Sequence, residues 1–450
     1  MRRFCPGLDI QARWAPLSYG SPAFSKKHVS RKDRLIIPAV SAFCVALVPL
    51  AATGIVTDQT ARAAGVAGAY TAQAHDPTAV FFNPGALSLL TKKKGLSAGT
   101  ASSSFRPFHF QGRAPGEGAG TVGKQSASID ITPSLFFAAP ATDRVVLGGA
   151  AYSSIRTRSQ WEEPGAFSGR YLATASSIEA YDVVSAGGLQ LSPTLGIGAG
   201  AVYRSARVSL DRRLGATIGG LKPDIASEAI ESDLKSTLGW NAGLLFRPSP
   251  RFSFGAVYRS PIRMQLEGVG TLTQIATGDP QFDALVAASF PFDQDLAMTT
   301  QLETPAQLNA GVAFAVGEPM LTELDVHRTR WWTLRSIAFV FPNDRTLDAH
   351  YELGLETTLD YRAGLRFQFP TGPIIRLGYA IEKSPQPETT LSPFFSALDR
   401  NTVTAGFGLD WLDVAVGWSK LGRRTVTTSA VNFNGDYSGN EWTLVVTATK

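Results

Sequence analysis

The strongest constraint in this chain is an alternation of period two that begins near Gly95 and continues almost to the last residue. In Phe252–Arg259, Phe252, Phe254, Ala256 and Tyr258 share one face, and Ser253, Gly255, Val257 and Arg259 share the other. Leu195, Ile197, Ala199, Ala201 and Tyr203 likewise oppose Gly196, Gly198, Gly200, Val202 and Arg204. Ala405, Phe407, Leu409 and Trp411 oppose Gly406, Gly408 and Asp410, and Val414, Val416 and Trp418 oppose Ala415, Gly417 and Ser419. One face is apolar with aromatic ends and the other is small or polar, as expected for strands between lipid and a lumen. A large soluble β-sandwich also alternates, but this many strands behind an export signal favour a membrane barrel. The fold class read from the pattern is all-β, a transmembrane antiparallel β-barrel of about fourteen strands, an even number that places both chain termini on one side.

The connections are unequal. Tight turns such as Arg247–Arg251 alternate with long excursions at 215–232, 271–300 and 384–400, as expected for short turns on one side of a membrane and long loops on the other. Two excursions read as partly helical, Ile225–Leu234 and Phe282–Phe290. The second is amphipathic, and both an apolar landing surface and a plain loop helix capping the barrel stay open.

Composition bears on where such a barrel resides. Charged residues make up 18% of the 450, with 43 Gly and 27 Pro, and mean hydropathy is near zero. That is too polar for a helical membrane protein and lean in charge for a soluble enzyme. The apolar run from Leu35 to Ala52 follows Arg31, Lys32 and Arg34, which reads as a secretory signal. Residues 1–53 are therefore expected to be leader and signal, cleaved between Ala51 and Gly54 or at a later Ala61–Ala63 site. Both cysteines, Cys5 and Cys44, fall in that leader, so the exported chain has no disulfide framework. The leader also holds eight of the 42 Lys/Arg but two of the 37 Asp/Glu. The pI of 9.1 belongs to it, and a nucleic-acid partner loses its support.

No motif for chemistry emerges. The five histidines are scattered without an HExxH pair, so no metal or cofactor is expected. There is no G-x-S-x-G elbow. Gly196, Gly198 and Gly200 alternate along a strand and do not form a dinucleotide fingerprint. Glu162-Glu163 beside Trp161 reads as solvated loop. An enzyme is not expected.

The stretch Gly65–Leu90, GVAGAYTAQAHDPTAVFFNPGALSLL, precedes the strands. Its small residues suit a confined space, and Asn83-Pro84-Gly85 after Phe81-Phe82 is a turn signal. It resembles the N-terminal hatch of the FadL/TodX (OmpP1) family of outer-membrane transporters for long-chain fatty acids and aromatic hydrocarbons. That family has a Gly/Ala run, an acidic turn and an Asn-Pro-Ala motif; here these are Gly65–Ala74, His75-Asp76-Pro77 and Asn83-Pro84-Gly85, with Gly85 where Ala is usual. Further matches in order are WNAGLLFRP (240–248) with FGAVYRSPIRMQLEG (254–268), the segment 304–331, Asp360-Tyr361-Arg362, Ser384–Pro387 and Leu398-Asp399-Arg400. The resemblance covers nearly all of residues 54–445. One departure is the ending, Val445–Lys450, where the family usually finishes on an aromatic residue.

The resemblance implies a domain plan of leader and signal (1–53), a hatch plugging the lumen (54–94) and a barrel with extracellular loops (95–450). It implies passive, hatch-gated uptake of a hydrophobic small molecule, a fatty acid or hydrocarbon, with lateral exit through the wall. It also implies a monomer in the bacterial outer membrane, surrounded by its lipid and inserted by the barrel assembly machinery. In this reading Asn83 pins the hatch while Pro84 and Gly85 shape the turn. Phe81 and Phe82 pack against lumen or ligand, and Asp76 forms the acidic turn. Arg212, in a segment resembling the family's pocket, and Arg259, read as inward, are candidate partners for a carboxylate; a structural ion pair is the competing role for each. A structural or adhesive barrel and a diffusion pore for polar solutes are the rival functions.

Overall fold

The computed structural model describes residues 55–91, 95–116, 118–126, 129–217, 222–317, 319–370 and 372–450. The expectations for the leader and signal lie outside them.

The strands are β1 (Gly95–Gly112), β2 (Val122–Lys124), β3 (Ile129–Pro140), β4 (Val145–Gln160), β5 (Ala175–Ser192), β6 (Leu195–Gly215), β7 (Asp224–Ser232), β8 (Lys235–Ser249), β9 (Phe252–Arg259) and β10 (Ile262–Gln274). They continue as β11 (Asp295–Thr304), β12 (Ala306–Ala315), β13 (Met320–Arg330), β14 (Ser336–Phe339), β15 (Ala349–Glu352), β16 (Thr358–Gln368), β17 (Ile374–Glu382), β18 (Arg400–Gly408), β19 (Leu412–Val426) and β20 (Gly435–Thr449). Every pairing is antiparallel, and β20 returns to β1, from Ser97 opposite Thr449 to Gly112 opposite Gly435. The sheet therefore has no free edge, which removes the unpaired backbone groups that lipid cannot satisfy.

Three wall strands are broken at mid-height. β7 and β8 both lie along β6; β9 pairs with β8 and β12, and β10 pairs with β7 and β11. Pro261 and Pro305 sit at two of the breaks, where a missing N–H removes a ladder bond. Joining these segments, and setting aside the loop strand β2 and the separate β14–β15 pair, gives a closed wall of 14 strands. The expected number and class hold. Six turns of two to five residues close one end of the barrel, and all the long connections lie at the other.

The predicted faces hold too. Phe252, Phe254, Phe407 and Trp411 are exposed on the outside, whereas Ser253, Val257 and Gly408 are buried inside. Outward aromatics form two levels: Trp411 is 55% and Trp418 37% exposed, about 20 Å apart along the strand at roughly 3.3 Å per residue. That matches an apolar band flanked by aromatic girdles.

One expected helix is a strand. Residues 225–232 form β7, between β6 and β10, because two ready ladder partners outweigh the weak helical preference of Ala and Glu. The other, α3 (Pro280–Ser289), is a helix capped by Asp279, whose side chain accepts from Gln281 N and Phe282 N.

Residues 55–91 lie inside the barrel as α1 (Ala61–Ala64), α2 (Ala79–Phe82) and a 3-10 helix over Pro84–Leu90, with nearly all side chains buried.

Candidate functional site

The plug approaches the wall so closely that the inward glycines become contact surface. A Cβ at Gly198 would collide with the carbonyl of Pro84, and one at Gly243 with the Asn83 side chain. Gly188 and Gly196 face Leu87 and Ser88 in the same way, and Gly364 and Gly378 face Val66 and Ala67. The strands thus give up side chains, and some β stability, where the plug's backbone must pass. Gly85 has the reciprocal reason: a Cβ there would lie 2.8 Å from the Gly243 carbonyl oxygen and 2.9 Å from Leu244 Cα. The departure from Ala in the motif fits this contact.

Asn83 sits at the centre of that contact, fully buried. Its Nδ2 donates to Thr71 O (2.9 Å) in the plug and to Leu244 O (3.0 Å) in the wall. Its Oδ1 accepts from Gly85 N (3.0 Å), capping the 3-10 helix that Pro84 starts. One amide therefore joins two plug segments to β8. From the wall, Asn241 donates to Val80 O (3.3 Å).

The other half of the lumen is charged, and of its residues the sequence reading named only Asp76 as a site residue, quoting Arg362 as part of a family match without giving it a role. Asp325 on β13 accepts from Tyr70 N and Thr71 N, both at 3.1 Å, and Glu323 from Ala72 N at 2.5 Å. Arg362 on β16 donates to Ala67 O (2.7 Å) and pairs with Glu382 at 2.5 Å. Arg62 of α1 pairs with Asp413 of β19 (2.6 Å) and Asp76 (3.3 Å), and Arg376 also reaches Asp413 (2.8 Å). Asp76 further accepts from Tyr70 Oη (2.9 Å) and Thr78 N (2.9 Å). Burial pushes its carboxyl up, but Arg62 and these donors prevail and hold it below the usual carboxylate range. Hydrogen bonds to charged groups contribute about 1.5–3 kcal/mol each, so this half anchors residues 62–76 strongly. The missed signal was available as charged residues at alternating, inward positions of β13, β16, β17 and β19.

Above the plug, one side of the lumen is lined by a buried apolar cluster. Phe81 and Phe82 meet edge to face at 4.8 Å, Phe82 meets Tyr70 at 5.2 Å, and Phe81 meets Tyr152 at 5.0 Å. The same buried cluster continues through Val208, Leu210, Met264 and Leu266 to Phe339, Phe341, Tyr351 and Phe394 among the long loops. A continuous apolar column therefore runs from the loop end down to Phe81 and Phe82.

The two candidate cations differ. Arg212 is bonded to Glu228 on the adjacent β7 and donates to Leu347 O (3.1 Å), which is the structural ion pair. Arg259 donates to Phe81 O, its guanidinium lies 4.4 Å over the Phe81 ring, and it pairs with no carboxylate among the described residues. The nearby Asp182 is held by Arg204 through both oxygens at 2.7 Å. Nε of Arg259 is buried without a hydrogen-bond partner.

The wall has one interrupted seam beside this point. β3 pairs with β4 from Ser134 opposite Tyr152 to Pro140 opposite Val146 and no further up. Beyond it β4 bulges between Ser153 and Ile155, and Tyr152–Ile155 are all buried rather than alternating. Plug residues occupy the gap: Ile55 bridges Ile155, Val56 N donates to Ser154 O (3.0 Å), Gln59 Nε2 to Ser153 O (2.7 Å), and Ser134 Oγ to Gln59 O (2.6 Å).

Comparison with known proteins agrees with this architecture. Solved structures with the same fold include a Pseudomonas aeruginosa FadL homologue (16% identity, TM-score 0.78, covering 88% of this chain and 99% of that one). They also include the Pseudomonas putida toluene transporter TodX (16%, 0.65, 87% and 97%) and the Ralstonia pickettii toluene transporter TbuX (15%, 0.61, 86% and 97%). No curated protein matches the chain by sequence. Residues 42–449 match the family model described as outer membrane protein transport protein (OMPP1/FadL/TodX). The chain belongs to that family of outer-membrane β-barrels, which transport hydrophobic substrates and are not enzymes.

Proposed function

We propose that this protein admits a hydrophobic molecule among the extracellular loops, passes it down the apolar column to Phe81 and Phe82, and releases it sideways into the membrane at the β3–β4 seam. The observation that carries this reading is the seam itself, the point where wall pairing stops beside the column and plug residues 55–59 stand in its place. A greasy solute gains nothing from an aqueous pore, and lateral release keeps it in an apolar medium. Residues 54–94 act as the hatch in a monomeric barrel of residues 95–450, exported by residues 1–53 and inserted into outer-membrane lipid by the assembly machinery. Asn83, with Pro84 and Gly85, is the clamp whose release frees the hatch, and the Arg62–Asp76 pair is its second fastening.

TodX and TbuX are toluene transporters, and a FadL homologue shares the fold. Between these classes, Arg259 favours a carboxylate-bearing chain. It is a half-buried cation at the foot of the column, paired with no acid among the described residues and with a buried, unpartnered Nε, and leaving such a charge uncompensated is costly. Uptake of labelled oleate and of toluene, by cells lacking their own transporter and expressing the intact protein at matched surface levels, tests the reading. Faster oleate entry supports it; faster toluene entry alone keeps transport and removes the carboxylate. If neither solute enters faster through an assembled barrel, the transport reading fails and an adhesive or structural barrel takes its place.

A further inference from the structure

A second cavity lies beneath the plug, at the short-turn end that family membership places in the periplasm. It encloses about 520 Å³, within the range of small-molecule sites. Its apolar floor includes Leu90 of the plug with Met320 and Leu321 of β13, and its rim carries Arg247, Arg251 and Arg366. Among the described residues no Asp or Glu lines it, and none of the three arginines forms an ion pair with a carboxylate.

Arg366 is the informative one. On the inner face of β16 it stands directly opposite Arg376 of β17, an arrangement in which like charges repel. Arg376 and Arg62 are compensated by Asp413 and Asp76, so three guanidiniums share two carboxylates. Arg366 carries the surplus charge, is half-buried, and among the described residues has one hydrogen-bond partner, the neutral Gln368 Oε1 at 2.7 Å. Arg251 of the β8–β9 turn and Arg247 near the end of β8, both exposed, line the same cavity.

We propose that this cavity binds an amphiphilic monoanion, its head on Arg366 and Arg251 and its tail on the floor formed by Leu90, Met320 and Leu321. A guanidinium suits a carboxylate or phosphodiester head because its planar fork bonds two oxygens together. The same chemistry comes from a free medium-chain carboxylate or from an anionic phospholipid of the inner leaflet. The site is separate from the Arg259 column and does not depend on the transport reading.

The test uses the purified barrel in neutral detergent, with Ala315→Cys, on the cavity lining, carrying an environment-sensitive dye. Sodium octanoate and short-chain phosphatidylglycerol are titrated alongside octan-1-ol and short-chain phosphatidylcholine. A saturable response to either anion and not to its neutral counterpart supports the site, and the tighter of the two assigns the source. Arg251→Gln/Arg366→Gln weakens that response at least tenfold, while Arg144→Gln, at an exposed arginine of the β3–β4 turn, leaves it unchanged. Arg251→Lys/Arg366→Lys recovers part of it, which separates head-group binding from misfolding. Equal response to the neutral analogues, no saturable response to either anion, or full binding by the double Gln variant overturns the proposal.

Discussion

The guanidinium of Arg259 lies 4.4 Å above the ring of Phe81 and donates a hydrogen bond to that residue's carbonyl. A wall strand and the hatch are thereby coupled through the same cation that a ligand's head group would seek. The stacking contributes about 0.5–2 kcal/mol, an amount that one charge-assisted bond to a carboxylate, about 1.5–3 kcal/mol, can offset. Arg259→Gln is therefore expected to weaken oleate binding about 10- to 100-fold and to leave toluene binding within about twofold. Equilibrium binding to the purified barrel checks this, and equal losses for both solutes would refute the carboxylate role.

Asn83→Ala strands Thr71 O, Leu244 O and Gly85 N, each losing its bond to the same side chain. Unsatisfied buried groups cost about 1–3 kcal/mol each. The expected result is a loosened hatch in an intact wall: higher open probability in planar bilayers, with thermal denaturation of the barrel shifted little. Asn83→Asp keeps the acceptor but turns a negative charge toward two carbonyls, and is expected to leak at least as much. A closed, silent Asn83→Ala channel would remove Asn83 from the gate.

Much of this architecture was legible because the lipid and the lumen impose opposite demands at every second residue. Phe252–Arg259 and Leu195–Arg204 could be assigned faces from their own sequences for that reason. The hatch turn was legible because Asn-Pro-Gly is locally specific. The β7 strand was not, since its own residues also suit a helix and only pairing with β6 and β10 decides between the two. The charged half of the lumen was hidden differently. Glu323, Asp325 and Arg362 have meaning only through backbone groups of residues 67–72, some 250 to 300 positions away. Arg212 and Arg259 look alike in sequence, and only the Glu228 beside Arg212 separates their roles.

Gly198→Ala tests the steric side of the clamp. The added methyl would occupy the place of the Pro84 carbonyl, whereas a Cβ at Gly187 meets Leu147 Cδ2 at an ordinary 3.6 Å. Gly198→Ala is expected to displace the 3-10 helix and raise conductance as Asn83→Ala does, although every polar partner remains. Gly187→Ala is expected to behave as the native protein. Bilayer recording and protease accessibility of the hatch distinguish the two.

The Arg62–Asp76 fastening sets a pH expectation. The carboxyl of Asp76 is held below its usual range in the closed state, and a carboxyl in a released hatch returns toward about 3.9. Its contribution is thus complete above about pH 4 and is lost only as pH falls through the lower closed-state value. Conductance is expected to be flat with respect to this pair between pH 5 and 8, while Asp76→Asn opens the hatch at neutral pH. A rise in conductance that titrates near pH 6 would show that another group controls the gate.

Lateral release makes the sharpest demand on the β3–β4 seam, and Ile55 and Ile155 offer the means to test it. They form an isolated antiparallel bridge, whose opposed Cα atoms stand about 4.5–5.5 Å apart, within reach of a disulfide. Cys5 and Cys44, the only two cysteines, both fall in the segment proposed as leader, and replacing them with Ser leaves no native cysteine to compete. Ile55→Cys/Ile155→Cys is expected to oxidise to a crosslink that holds the N-terminal segment in the gap. Uptake should fall to the background of transporter-free cells and recover on reduction, while either single cysteine leaves it unaffected. Undiminished uptake with the bond fully formed would mean that the solute leaves by another way, downward past the hatch, and the seam would then be a fixture of the wall.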